Sequence, residues 1–120
     1  MKTYWLSKKP PTINTAFATD FKTRRRYKTP KYAAWIAEAL EELQEQDIER
    51  FDGDYYVEIY IPLKFRRSNA DIDNMIKPTL DLLVKAGATP DDRYLYGVTI
   101  RYFDEMRVCI DVKPMPTEPI

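Results

Sequence analysis

Between residues 55 and 63 the chain alternates strictly: Val57, Ile59, Ile61 and Leu63 fall on one side, Tyr56, Glu58 and Tyr60 on the other. A period of two predicts a strand with one buried face. Upstream the period lengthens. Tyr32, Ile36, Leu40 and Leu43 recur at helical spacing with Trp35 and Ala39 beside them, and Thr29-Pro30 supplies an N-cap and a first-turn proline. A helix over about 30–46 follows. Tyr4-Trp5-Leu6 reads as a short first strand that Pro10-Pro11 ends. Residues from about 9 to 29 show no clear period and are expected to form one long loop, a kind of segment that is usually functional or disordered.

A second helix is expected near residue 73. Pro78 would clash with the preceding turn if the helix already ran from Asp71, so the start falls at Asp73 or Asn74, both good N-caps. Asp71 to Asp73 would then be extended, with both carboxylates projecting to one side. Ile76, Leu80, Leu83 and Val84 form the expected buried face, and Gly87 the terminator. Tyr94 to Phe103 and Met106 to Val112 read as a C-terminal hairpin. A loop of Phe103-Asp104-Glu105 would pair Ile100 with Val108 and Val98 with Ile110, whereas a one-residue slip would place Arg107 and Asp111 among apolar side chains. Pro114, Pro116 and Pro119 are expected to stop any further strand. The order β-α-β-α-β-β predicts an α/β (α+β) fold in a single domain over residues 1–120, with a four-stranded mixed sheet and two main helices.

Composition narrows this picture. At 44% hydrophobic and 32% charged residues the chain is too apolar to be disordered, and 120 residues support one core. Cys109 is the single cysteine, which excludes an internal disulfide and a cysteine-based zinc site and fits a reducing cytoplasm. No segment is long and apolar enough for a signal peptide or a membrane span, so a cytoplasmic protein without membrane contact is expected. Net charge is zero with a pI near 6.3, which taken alone argues against nucleic acid. The charge is nevertheless polarised. Residues 1 to 31 hold lysines and arginines against Asp20 alone, and residues 38 to 58 hold acids against Arg50 alone.

Candidate chemistry lies in Asp71-Ile-Asp73-Asn-Met-Ile-Lys77 and Asp91-Asp92, in a chain without histidine. A site of Asp oxygens suits a hard cation such as Mg²⁺ or Mn²⁺, which commonly shares carboxylates with substrate phosphates. Each piece also has a plain structural reading. Asp73, Lys77, Asp81 and Lys85, four apart, are an ordinary charged helix stripe; one aspartate can cap a helix; and Asp91-Asp92 after Pro90 can make a turn. The arginines Arg24, Arg25 and Arg26, with Lys28, interleave with Phe21 and Tyr27, and Arg66-Arg67 precede Asp71. Arginines hold phosphate and aromatics stack on bases, so these positions are candidate DNA contacts.

Taken together, Asp71-Ile-Asp73-Asn74-x-x-Lys77-Pro78, Lys85-Ala-Gly87 and Asp91-Asp92 resemble the RusA family of Holliday-junction resolvases, small endonucleases of bacteria and their prophages. Pro10-Pro11-Thr-Ile-Asn14 resembles that family's Pro-Pro-Ser-x-Asn signature, with Thr12 in place of Ser, and adds Asn14 to the candidate DNA contacts. The basic cluster before Asp71 is interrupted by Ser68-Asn69-Ala70. The resemblance implies a Mg²⁺-dependent homodimer that nicks two strands of a four-way junction symmetrically. It also implies Asp71, Asp73 and Asp92 as metal-binding catalytic carboxylates, with Lys77 essential beside them. The alternatives are a non-catalytic nucleic-acid binding protein and, less compatible with this length, a D-x-D nucleotide-sugar transferase.

Overall fold

A computed structural model describes residues 1–67 and 71–115. In chain order the elements are β1 (Lys2–Leu6), α1 (Ile13–Ala16), β2 (Phe17–Thr19), β3 (Arg26–Lys28), α2 (Pro30–Glu45), β4 (Tyr55–Pro62), α3 (Ile76–Ala86), β5 (Leu95–Phe103) and β6 (Val108–Pro114). Single 3₁₀ turns occupy Leu63–Phe65, Ile72–Met75 and Asp92–Tyr94. Four strands form one mixed sheet in the order β1-β6-β4-β5, and β2 and β3 form a separate two-stranded ribbon. The α/β architecture and its two main helices agree with the hydrophobic periodicity.

Thr29 and Pro30 start α2 as their chemistry requires: the Tyr32 amide donates to Thr29 Oγ1 at 3.3 Å. Tyr32, Trp35, Ile36, Ala39 and Leu43 are its buried positions. They pack with Tyr55, Val57, Ile59 and Ile61 of β4, each wholly buried, and with Val108, Ile110 and Val112 of β6. The opposite face of the sheet carries Trp5, Tyr60 and Phe103, whose rings adjoin at 6.5 and 5.4 Å. Among the described residues no helix is long and apolar enough to cross a membrane.

The C-terminal strands correct the sequence reading. β5 and β6 are not hydrogen-bonded to each other; β4 lies between them, parallel to β5 and antiparallel to β6. Ile100 and Ile110 flank Ile59, and Val98 and Val112 flank Val57, instead of pairing directly. The in–out alternation was legible because it depends on burial, but the partner was not. β4 is the most completely buried strand and takes the centre, where both of its edges are satisfied, while Asp104–Arg107 lacks the Gly or Asn of a tight hairpin and spans two strand spacings, about 10 Å. A parallel β4–β5 pair in turn requires a crossover, which α3 supplies. β6 also runs to Pro114, which pairs with Tyr55 as the strand's last residue, past the expected stop. Pro116 and Pro119 lie outside the described residues, as do Ser68, Asn69 and Ala70.

The long loop expected over 9–29 is built instead from α1 and the β2–β3 ribbon. Short elements of this kind leave too few residues for a period to register. Phe17 anchors the ribbon edge-on against Tyr32 at 5.4 Å, and the Thr29 hydroxyl donates to the Thr15 carbonyl at 3.0 Å.

Candidate active site

The entrance to α3 differs from the expected extended segment. Asp71 is extended (φ −91°, ψ 119°), but Ile72–Met75 is a 3₁₀ turn, so Asp73 sits inside that turn and the α-helix begins at Ile76. Neither Asp73 nor Asn74 is its N-cap; Met75 holds that position without a side-chain bond. Pro78 thus falls in the first α-turn, where its missing N–H costs little. The wholly buried Thr79 donates its hydroxyl to the Met75 carbonyl at 2.8 Å, fastening this turn to the helix. Leu80, Leu82 and Leu83 are buried, whereas Val84, expected in the core, is exposed. Gly87 ends the helix in the left-handed region at φ 78°, as the sequence predicts.

Lys77 projects from the first turn of α3. Its Nζ donates to Asp81 Oδ1 at 3.0 Å and stands 4.0 Å from Asp92 Oδ2. The bond to Asp81, with the charges of Asp81 and Asp92 behind it, raises the lysine pKa despite partial desolvation. The stripe reading of Asp81 therefore holds, and it has a consequence the spacing alone did not show: Asp81 positions the lysine of the candidate site.

Asp91 and Asp92 divide their roles. Asp91 Oδ1 accepts from the Arg93 amide at 3.0 Å and caps the Asp92–Tyr94 turn. That backbone bond is the main reason the Asp91 pKa is lowered. Asp92 faces Lys77 instead. Beneath them, burial raises the pKa of the Tyr55 hydroxyl, the adjacent Thr89 hydroxyl acts in the opposite sense, and the charges of Asp92 and Asp91 raise it further.

The turns carrying Asp73 and Asp92 both pack against α3, and α1, which bears the exposed Asn14, packs against the Asp73 turn and α3. Asp71, Asp73 and Asp92 are exposed oxygen donors, a chemistry that fits a hard divalent cation. Among the described residues no three His, Cys, Asp or Glu side chains are close enough to enclose a metal ion. The structure brings Lys77, Asp81 and Asp92 together; it does not gather Asp71, Asp73 and Asp92 into one ligand set.

The basic candidates fall on different elements. Arg24, Arg25, Arg26 and Lys28 are exposed on the β2–β3 ribbon. Arg26 lies over the Phe17 ring at 4.1 Å, and Lys28 over Tyr32 at 5.8 Å. Arg66 lies over Tyr102 at 5.7 Å, with exposed Arg67 following. Beside α1 runs a groove of about 480 Å³ whose walls include Lys8, Lys9, Pro10, Pro11, Lys31 and Trp35. Sequence reasoning took Pro10-Pro11 only as a strand stop and a signature; three lysines within reach of it were the available sign of a groove.

A family profile described as "Endodeoxyribonuclease RusA" matches residues 8–113, from just after β1 to the penultimate residue of β6. The chain belongs to the RusA endodeoxyribonuclease family. It is also 33% identical over 95 residues to a "Crossover junction endodeoxyribonuclease RusA" of Aquifex aeolicus (strain VF5), covering 75% of this chain and 72% of that protein. Membership resolves the choice the residues left open: the chain is of an endodeoxyribonuclease family, and the non-catalytic and sugar-transferase alternatives are set aside.

Proposed function

We propose that this chain resolves four-way DNA junctions by paired, symmetrical, Mg²⁺-dependent nicks, acting as a cytoplasmic homodimer. The observation that carries the reading is the approach of Lys77 to Asp92 at 4.0 Å, because it joins two separated pieces of the acidic motif on one side of α3. The named activity of the Aquifex aeolicus relative supports the choice of junction substrate.

Asp71, Asp73 and Asp92, which the structure does not gather into one ligand set, would converge on the cation as it binds, and Mn²⁺ suits the same oxygen donors. When bound, a divalent ion supplies Lewis-acid polarisation and a more acidic water. Lys77, held in place by its bond to Asp81, offers fixed positive charge to the phosphate undergoing attack. Arg24, Arg25, Arg26 and Lys28 on the ribbon, with Arg66, Arg67 and Asn14, would hold the DNA backbone. A two-fold dimer presents two such sites to two like strands, the symmetry that paired nicks need.

The deciding experiment incubates the protein with Mg²⁺ and a synthetic four-way junction, beside a linear duplex of matched sequence. Symmetrical nicks confined to the junction are expected, and Asp73→Asn should lose them by at least about a hundredfold while still binding the junction. Equal cutting of the linear duplex would refute junction selectivity. Asp73→Asn cutting at the parent rate would refute the assigned site. Sedimentation of the free protein at monomer mass at assay concentration would refute the dimer.

A further inference from the structure

The β2–β3 ribbon ends in a tip whose construction has no role in the core. Phe21 is 98% exposed, and every residue from Phe21 to Lys28 is exposed. Single exposed apolar residues are ordinary on protein surfaces. Phe21 differs in how it is held. Asp20 Oδ1 accepts from the Lys22 amide at 2.8 Å and from the Thr23 amide at 3.4 Å, while the Arg24 amide donates to the Asp20 carbonyl at 2.7 Å and the Asp20 amide to the Arg25 carbonyl at 2.9 Å. Arg24 takes a left-handed conformation at φ 57° to close the turn. The one acidic side chain of the tip is thus spent on backbone amides. Phe21 projects from a fastened turn among Lys22, Arg24 and Arg25, and the stem is fixed to the core through Phe17 on Tyr32.

A hydrogen-bonded two-stranded ribbon with an outward aromatic ring and flanking cations matches one ligand chemistry well. The cations suit phosphates and the ring suits the face of a base that has lost its stacking neighbour. An intact duplex offers the phosphates but no free base face; a branch point offers both. Resting on the junction reading above, we propose that Phe21 is a wedge that stacks on an unstacked base at the branch point, so that the ribbon recognises branched DNA in preference to linear duplex.

The test places 2-aminopurine at the branch point of a four-way junction and follows its fluorescence as the full-length protein is added, with cleavage followed separately in Mg²⁺. The parent protein should change the fluorescence on binding. F21A should lose that change, bind the junction about tenfold more weakly and bind linear duplex as the parent does; F21W should restore the change. Phe21 makes no core contact, so the far-ultraviolet circular dichroism of F21A should match the parent's. A parent that cuts the junction without altering the fluorescence, or an F21A variant that alters it as the parent does, overturns the wedge and leaves the nuclease reading standing. A parent that neither binds nor cuts the junction overturns both.

Discussion

Lys77 on α3 stands 4.0 Å from Asp92 on the turn before β5, and this contact joins the two acidic motifs that lie apart in sequence. Asp81, one helical turn further along α3, holds the same ammonium at 3.0 Å. One cation is therefore shared between a carboxylate of its own helix and one delivered by a different element. A pair on one helix can be designed by spacing alone, whereas the Asp92 contact needs the crossover that brings β5 beside β4.

Removing Asp81 separates positioning from chemistry. The Asp81 bond is the main reason the Lys77 pKa is raised, so Asp81→Asn should lower that pKa and leave the ammonium present at neutral pH. For a lysine whose folded pKa is raised, the linked stability is fully present below the unfolded value of about 10.4 and is lost as pH climbs through the folded value. The parent should therefore lose more stability than Asp81→Asn over that alkaline window, by no more than about 0.5 kcal/mol for so exposed a pair. Urea unfolding at neutral and alkaline pH checks this. In cleavage assays Lys77→Ala should be the more damaging change, and Asp81→Asn as inactive as Lys77→Ala would mean that Asp81 itself acts on the substrate.

Helix α2, the alternation of β4 and the Gly87 stop were legible because each follows from local burial or backbone chemistry within a few residues. The neighbour of β5 was not, since Val98 and Ile100 face the core equally well whether their strand pairs with β6 or with β4. The ribbon was hidden for another reason: its strands of three residues, Phe17–Thr19 and Arg26–Lys28, are too short to show alternation. Within the site, Asp71, Asp73, Lys77 and Asp92 could be picked out by type and spacing. The 3₁₀ turn that lifts Asp73 out of an extended segment could not, because Pro78 limits where the α-helix starts without dictating what precedes it.

Gly87 closes α3 in a conformation that costs other residues about 1 kcal/mol. A Cβ there would also lie 2.3 Å from Nη1 of Arg50, so the guanidinium must move. Gly87→Ala should destabilise the protein by about 1–2 kcal/mol, a fall of several degrees in Tm. In an Arg50→Ala background the same change should cost less, because only the backbone strain remains. Equal costs in both backgrounds would remove the arginine from the explanation.

Burial, reinforced by Asp111 beside it, pushes the Cys109 thiol up to about 12. The thiolate is the reactive form, so at pH 8 the folded protein should react slowly with a disulfide reagent and the urea-unfolded chain quickly. The sign for stability is the reverse of a paired carboxylate's: above the ordinary thiol value of about 8.5 the unfolded chain ionises first, and stability falls as pH rises. Reaction of the native protein as fast as the unfolded one would show that the strand pairing of β6 opens readily at this position.

Gln46 replaces a missing strand at the free edge of β1. Its Oε1 accepts from the Trp5 amide at 2.7 Å and its Nε2 donates to the Trp5 carbonyl at 2.6 Å. Gln46→Ala removes both partners from a half-buried peptide group and should cost about 1–3 kcal/mol. Gln46→Glu keeps the bond to the amide but sets a carboxylate against the carbonyl, so it should be no less harmful at neutral pH. Thermal unfolding measures both; a Gln46→Glu protein as stable as the parent would mean that the carbonyl bond contributes nothing.

The ribbon arginines offer a quantitative check on DNA binding. Arg26 is engaged with Phe17 at the stem, so Arg26→Ala mixes a binding effect with a folding one, while Arg24 and Arg25 lie nearer the tip and take no part in the ring contacts that fix the stem. Each arginine that neutralises a phosphate contributes about 0.9 to the slope of log K against log salt on duplex DNA. Replacing Arg24 and Arg25 by Ala should therefore flatten that slope by up to about 1.8, weaken junction binding most at low salt, and leave Tm within a degree or so of the parent. If the slope is unchanged while affinity falls, the two side chains act by shaping the turn rather than by meeting phosphate.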